Sequence, residues 1–222
     1  MNTKKYILII SVVLFAAAAI SAFGADRNTR KAEKNISKME KNIANKNPKV
    51  RVQSAEGLAK ADSKGSIEKL ISQYQKEKDE TVRVHLVDSI AQIGGAEAVE
   101  VLIKAVKEDS SINVRSMACL KLGIIKDASA KEALLEVFDN KEEDLNLRIS
   151  ASSALLSYMS DAKVYKTLEN TIKSENQLLK FGLVNSLRGY KRTKEGKKLL
   201  EISNKDKDDG ISKMSADILS AD

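Results

Sequence analysis

Apolar positions recur along the chain at helical spacing, within units of about 32 residues. Each unit begins with an apolar residue followed by a basic one. This pair occurs as Val50-Arg51, Val82-Arg83, Val114-Arg115, Leu147-Arg148 and Leu179-Lys180, and Ile211-Ser212 closes the series without the basic residue. Seven residues after the second member stand Leu58, Ile90, Leu122, Leu155, Leu187 and Leu219. Self-similarity at a fixed period of this size indicates stacked helical repeats.

A second apolar stripe follows in each unit, after a short turn rich in Gly, Asp and Ser. In the second unit the turn is Gly94-Gly95 and the stripe is Val99, Leu102, Ile103 and Val106. Each unit therefore predicts two amphipathic helices, the first helix and the second helix of the repeat. A helix pair of this size cannot bury its apolar face alone, but stacked copies can cover one another. We therefore expect an all-α solenoid of about five stacked helix-turn-helix repeats.

The same pattern predicts the domain organisation. Ile36, Met39 and Ile43 form a short stripe on an otherwise polar segment, which we interpret as an N-terminal capping helix. The predicted segments are a signal peptide at 1–25, the capping helix at 26–46 and a repeat domain at 47–222, with units at 47–78, 79–110, 111–143, 144–175 and 176–210 and a half-unit at 211–222.

The first residues have the pattern of a secretion signal. Lys4 and Lys5 precede an apolar run over 6–20, and small residues near Gly24 and Ala25 are suited to cleavage. We expect the mature chain to be extracytoplasmic, either periplasmic or secreted. The alternative is an uncleaved anchor, because the apolar stretch over 6–25 is long enough to span a bilayer.

The repeats resemble HEAT repeats, specifically the short type called phycobilisome-lyase HEAT-like repeats. The residues that carry the resemblance are Val114-Arg115, Ala118, Leu122-Gly123 and Asp127, with Val82-Arg83, Ile90-Ala91 and Ile93-Gly94. It extends over about residues 46–222 and implies a right-handed superhelix. It also implies that Arg51, Arg83, Arg115 and Arg148 are structural and pair with an acidic group of a neighbouring turn. Lys180 and Ser212 depart from that pattern, so the resemblance leaves the pairs uncertain at the C-terminal end.

Composition argues against common catalytic sites. The chain has one His, one Cys and no Trp, and its formal net charge is +7. His85 falls on the side away from the apolar stripe, and Cys119 falls among apolar helical positions, so we expect an outward imidazole and a buried thiol. We predict no catalytic residues, no cofactor and no metal site.

The predicted function is a non-catalytic scaffold or adaptor that binds an unidentified protein in the periplasm or cell envelope of a bacterium. In HEAT-like solenoids the second helices usually line the concave side, where we expect the partner. The candidate partner surface is Lys69, Gln73, Lys76, Glu97, Glu100, Lys104 and Glu136. A basic turn is a candidate contact for an anionic envelope component, formed by Arg188, Lys191, Arg192, Lys194, Lys197 and Lys198.

Two other functions stay open at this stage. One is an enzyme or enzyme subunit, lyase-like, built on the same scaffold. The other is a nucleic-acid-binding protein, which export and the scarcity of aromatic residues disfavour. Contact with a membrane is expected only if the signal segment is not cleaved.

Overall fold

A computed structural model describes residues 28–61 and 64–221. The predicted signal segment at 1–25 lies outside these residues. The described residues contain helices and no strand. The helices are α1 (28–42), α2 (Pro48–Lys60), α3 (Ile67–Lys76), α4 (Glu80–Ile93), α5 (Ala96–Glu108), α6 (Ile112–Ile125), α7 (Ala128–Asp139), α8 (Leu145–Leu155), α9 (Ala162–Ile172), α10 (Gln177–Ser186), α11 (Lys194–Ser203) and α12 (Asp209–Ser220).

The even-numbered helices from α2 to α12 are the first helices, and the odd-numbered helices from α3 to α11 are the second helices. The first helices pack in a row, each on the next: α2 on α4, α4 on α6, α6 on α8, α8 on α10 and α10 on α12. Among the second helices, α5 packs on α7 and α9 packs on α11. This is the all-α solenoid of stacked helix pairs that the repeat pattern predicts.

Local sequence explains where the helices begin. Every first helix is preceded by a polar residue whose side chain accepts a hydrogen bond from a backbone N–H of the first turn, which satisfies a donor that the helix itself leaves open. These N-caps are Asn47, Asp79, Ser111, Asp144, Asn176 and Asp208. The turn between α4 and α5 uses Gly94 and Gly95 at φ values of 74° and 94°, where a β-carbon would be strained.

The predicted apolar column is the centre of the solenoid. Leu58, Ile90, Leu122, Leu155 and Leu187 are fully buried. The last member of the column differs, because Leu219 is half-buried and its neighbour Ile218 is fully buried instead. No further repeat follows α12 within the described residues, so its outer side has no helix to cover it.

The N-terminal end is covered by α1. Ile43 is buried, and Ile36 and Met39 pack on the same apolar cluster as Leu58. The Met39 sulfur fills the space beside Gly57 that a β-carbon would otherwise occupy. The capping stripe of the sequence therefore contacts the first repeat.

The first helices approach closely in the middle of the stack. A β-carbon on Gly123 of α6 would lie 2.8 Å from the Cα atom of Ala154 in α8. This spacing is possible only because both residues are small, and it leaves the surrounding core little room to rearrange.

Candidate functional site

Basic side chains of the first helices bind carboxylates in the turns that follow the second helices. We call this series of pairs the ion-pair ladder. Arg51 meets Glu77 through two hydrogen bonds of 2.7 and 2.8 Å, and Arg83 meets Asp109 through two of 3.0 Å. The remaining pairs are Arg115 with Glu143 and Lys180 with Asp206.

The ladder carboxylates also organise the turns in which they lie. Glu77, Asp109 and Asp206 each accept a hydrogen bond from the backbone N–H two residues further on, at 2.9–3.0 Å. Each of the three stands 26 residues after its basic partner. Each of these carboxylates thus stabilises its turn through a backbone hydrogen bond and links that turn to the preceding first helix.

Burial and hydrogen bonding shift the pKa values of these carboxylates in opposite directions. Burial by itself raises the pKa of Glu77, Asp109 and Asp206, but hydrogen bonds from the paired base and the backbone outweigh it, so each pKa lies below its ordinary range. For Glu143 the hydrogen bond from Arg115 is the largest cause of the lowered pKa. The ladder carboxylates are therefore ionised at neutral pH, as the pairs require.

Stability is expected to be flat near neutral pH and to fall on acidification. A carboxyl group with a depressed folded-state pKa stabilises the fold fully above its unfolded pKa, and this contribution is lost as pH falls through the folded pKa. The loss should begin below the ordinary values of 4.5 for Glu77 and 3.8 for Asp109. Urea denaturation between about pH 7 and pH 2 measures this dependence. An Asp109→Asn variant should show a shallower loss; an identical loss would contradict the role of the ladder.

Two ladder positions differ from what the resemblance implies. Lys180 departs from the Arg pattern yet keeps the pair, since its Nζ lies 2.7 Å from the Asp206 carboxylate. Arg148 matches the Arg pattern, but it has no acidic partner among the described residues. Its Nε donates to the Phe138 carbonyl at 2.9 Å instead. Ser212 donates to the Asn204 carbonyl, so the last position holds its turn without a charge.

The candidate partner surface lies on α3, α5 and α7. Lys69, Lys76, Glu97, Glu100, Lys104 and Glu136 are exposed there. Gln73 is not exposed as expected, because it is half-buried and donates a hydrogen bond to the ladder carboxylate Glu77 at 2.9 Å. Glu136 receives a hydrogen bond from Lys107 across the boundary between repeats, and Lys69 donates one to Glu40 of α1.

The basic turn extends from the segment between α10 and α11 into α11 itself, where Lys194, Lys197 and Lys198 lie. Arg188, Arg192, Lys194, Lys197 and Lys198 are exposed, with no ion pair among residues 28–61 and 64–221. Lys191 is half-buried and donates to the carbonyl of Ala221, so it helps to hold the C-terminal end. The structure therefore gives Lys191 a different environment from the other five.

The two residues with the most reactive side-chain types are separate from each other. Cys119 is fully buried, as expected, and burial raises the pKa of its thiol to about 12. His85 is partly exposed, and its Nδ1 lies 3.0 Å from a carboxylate oxygen of Glu56. Within the described parts of the chain, no three His, Cys, Asp or Glu side chains gather into a metal-binding group. None of the helices described here is long and apolar enough to cross a bilayer.

Exposed apolar side chains form a feature that the sequence analysis missed. The largest exposures are those of Ile124 at 71%, Leu178 at 62% and Phe181 at 54%, all on first helices. Ile112 and Leu120 add to those on α6. Leu120 and Leu178 stand where most other repeats carry polar residues, so the periodic pattern gave no signal for them. Phe181 follows the basic residue of its repeat as Val52, Val84 and Ile149 do, so the pattern predicted an apolar residue there but not its exposure.

Open grooves separate successive second helices. The groove between α3 and α5 contains Arg83 and Asp109 and has a volume of about 640 Å³. The groove between α9 and α11 contains Lys180 and Asp206 and has a volume of about 770 Å³. A third groove, between α7 and α9, contains Arg148 and has a volume of about 430 Å³. A ladder residue therefore lines each of these grooves.

Comparison with known families agrees with this architecture. The family model described as HEAT repeats matches residues 67–155, which cover α3 to α8. No curated protein sequence matches the chain.

Solved structures share the fold at low sequence identity. The Escherichia coli protein YibA is 15% identical with a TM-score of 0.56, and human deoxyhypusine hydroxylase, solved in complex with glycerol, is 12% identical with a TM-score of 0.53. Each match covers 86% of this chain and 74% of the other. The complex of CpcE and CpcF of phycocyanin lyase from Nostoc sp. PCC7120 is 15% identical with a TM-score of 0.47, covering 83% of this chain and 86% of that one. At these identities the likeness to YibA and to deoxyhypusine hydroxylase establishes the fold alone.

Proposed function

We propose that this HEAT-like solenoid is an exported, non-catalytic scaffold that binds another protein in the periplasm or cell envelope of a bacterium. The observation that carries this proposal is the state of the charges on α5. Glu97 and Glu100 are exposed and make no ion pair among the described residues, and Lys104 approaches Glu108 only to 3.8 Å. The charges of the four ladder pairs are satisfied within the chain, whereas these are available to a partner.

The mixture of signs on this surface supports a protein as the partner. This surface exposes ammonium groups on α3, at Lys69 and Lys76, and both signs on α5, at Glu97, Glu100 and Lys104. An anionic membrane or a nucleic acid presents negative charge alone, so it would attract the lysines of this surface and repel its glutamates. A protein with complementary charges can match both signs, which gives specificity and faster association.

The chemistry of the described side chains supports a non-catalytic role. The raised pKa of Cys119 leaves its thiol protonated and buried, so it is a poor nucleophile. His85 of α4 contacts Glu56 of α2, so its imidazole joins two neighbouring first helices. One protein of the same fold is named a hydroxylase, so the fold itself is compatible with catalysis and the argument rests on these residues.

Export is supported by the sequence. Lys4 and Lys5, the apolar run over 6–20 and the small residues near Gly24 and Ala25 together have the pattern of a cleaved signal peptide. The exposed basic turn around Arg192 would then face an extracytoplasmic environment. We propose it as a second contact, for an anionic component of the envelope.

The test is purification of the mature chain from the extracytoplasmic fraction, followed by measurement of its affinity for the protein that co-purifies. Glu100→Lys and Lys104→Glu should each weaken that affinity by about tenfold, mainly through slower association, because charges at the rim of an interface steer encounter. The matched control is Asp217→Lys, an exposed charge reversal on α12, which should leave the affinity unchanged.

Two results would contradict the proposal. One is recovery of the chain only from the cytoplasm with residues 1–25 still present. The other is a partner whose affinity changes equally with Glu100→Lys and with Asp217→Lys, since that would indicate a response to net charge and not to this surface.

A further inference from the structure

Ser174 occupies the ladder position where an acid belongs. It stands 26 residues after Arg148, and 26 is the separation found for Arg51, Arg83 and Lys180 from their acids. It also lies three residues before α10 begins, as Asp109 lies three residues before α6 begins. The ladder therefore has a gap, and Ser174 fills the position without supplying a charge.

Ser174 retains one of the two roles of a ladder acid. Its Oγ accepts a hydrogen bond from the Asn176 backbone N–H at 3.3 Å, the same bond that Asp109 makes with Ser111. Its hydroxyl donates to the Thr171 carbonyl at 2.7 Å. The turn is thus held in the usual way, while the carboxylate that would meet Arg148 is missing.

Arg115 shows what Arg148 lacks. The Arg115 Nε donates to the Val106 carbonyl at 2.8 Å, and its two Nη groups donate to the Glu143 carboxylate. The Arg148 Nε makes the equivalent bond to the Phe138 carbonyl at 2.9 Å, and its guanidinium carbon lies 5.8 Å from the centre of the Phe138 ring. These contacts hold the guanidinium, but its Nη groups have no acceptor among the described residues.

The groove around Arg148 is suited to a small anionic group. Five uncharged polar side chains also line the groove and can form hydrogen bonds: Thr167, Asn170, Thr171, Ser174 and Asn176. Two further charges line the groove, Asp139 and Lys141, and their opposite signs cancel. The remaining charge is the single positive one of Arg148, which matches a monovalent carboxylate better than a divalent phosphate. A guanidinium binds a carboxylate through two parallel hydrogen bonds.

We propose that the groove between α7 and α9 is a binding site for a carboxylate from outside the chain, which takes at Arg148 the place that Glu143 holds at Arg115. The carboxylate can come from a small organic acid or from the C-terminus of a polypeptide. The site shares α7 with the candidate partner surface but contains none of the seven residues of that surface, and it does not depend on the proposed scaffold function.

The experiment is an NMR titration of the full mature chain, following the Nε–Hε signals of Arg148 and Arg115. Sodium acetate is added at constant ionic strength, with chloride as the balancing ion and sulfate as the comparison. Arg148 should shift and saturate with acetate and respond at least fivefold more weakly to sulfate, while Arg115, already bound to Glu143, should not move. Parallel shifts at both arginines, or no saturable shift at Arg148, would overturn the proposal.

Two variants make the test specific. Ser174→Asp supplies the missing acid from within the chain, so it should weaken acetate binding at Arg148 at least tenfold and shift the Arg148 signal before any acetate is added. Arg148→Gln should abolish the acetate-dependent shifts of neighbouring backbone amides such as that of Ser174. Undiminished acetate binding in either variant would overturn the assignment of the site to Arg148.

A pair of peptides distinguishes a polypeptide carboxylate from a small organic acid as the source. Acetyl-triglycine with a free C-terminus is compared with the same peptide ending in an amide. Binding at least tenfold tighter than acetate, and lost on amidation, supports a polypeptide carboxylate. Binding equal to that of acetate supports a small acid, and binding of the amide as tight as that of the free acid would overturn the carboxylate site.

Discussion

Replacing Asp206 with Ala is expected to destabilise the fold by about 3 kcal/mol, at the lower end of the range for breaking a buried ion pair. The side chains of Lys180 and Asp206 are only 3% and 8% exposed. Without the carboxylate, the Lys180 ammonium stays in a place that water reaches poorly, and the turn loses its bond to the Asp208 backbone N–H. Urea denaturation gives the free energy, and hydrogen exchange should localise the loss to α10–α12.

The neighbouring exposed pair is the control for this prediction. Lys207 and Glu175 also lie 2.7 Å apart, but both side chains are mostly exposed. Glu175→Ala should leave the urea midpoint unchanged, because exposed pairs contribute little. The double variant Lys180→Met, Asp206→Ala should recover most of the loss, since no buried charge is left unpaired. Equal effects of Asp206→Ala and Glu175→Ala would show that burial does not govern the ladder.

Replacing Leu122 with Ala is expected to cost about 2–5 kcal/mol. Leu122 is fully buried in the middle of the stack, where α6 contacts both α4 and α8. The close approach of Gly123 to Ala154 prevents α8 from moving inward to fill the cavity. We therefore expect a cost in the upper part of that range, measured by urea denaturation as a lower midpoint with the slope unchanged.

The matched control lies two residues away on the same helix. Ile124 is 71% exposed, so Ile124→Ala removes a similar side chain without opening a cavity. Its effect on the free energy of unfolding should stay within about 0.5 kcal/mol. A loss with Ile124→Ala as large as that with Leu122→Ala would mean that α6 does not face the core as described.

The repeated columns were predictable because their physical cause is periodic. Leu58, Ile90, Leu122, Leu155 and Leu187 face the neighbouring repeat, so each needs an apolar side chain at the same phase of the helix. Burial of Cys119 follows from the same phase. The burial of Leu219 was predicted less well. At the end of the stack no further repeat covers the residue at this phase of the helix.

The ladder was only half predictable. Its basic members stand beside the apolar column, but the acids lie in turns, where the clusters at 77–80, 142–144 and 206–209 look like helix caps. Asp79, Asp144 and Asp208 are indeed caps, while Glu77, Glu143 and Asp206 bind the ladder bases. The separation of 26 residues was the available signal.

The sequence predicted which residues of the candidate surfaces are exposed, but not which contacts their side chains make. Six of the seven residues chosen on α3, α5 and α7 are exposed, because the helical phase that buries one side exposes the other. Gln73 is the exception, since it reaches sideways to Glu77, and a contact between residues four apart depends on side-chain conformation. Similarly, Lys191 reaches the carbonyl of Ala221, 30 residues away.

The row of first helices has a mechanical consequence. Each first helix packs on the next, so a pulling force would pass from one junction to the next along the row, as in a coil spring. Extension would be uneven, because most junctions are braced by a salt link between Arg or Lys and an acid, whereas Arg148 has none within the described chain. We therefore expect the junction between α8 and α10 to be the most compliant one in the row, and a carboxylate bound at Arg148 to stiffen it.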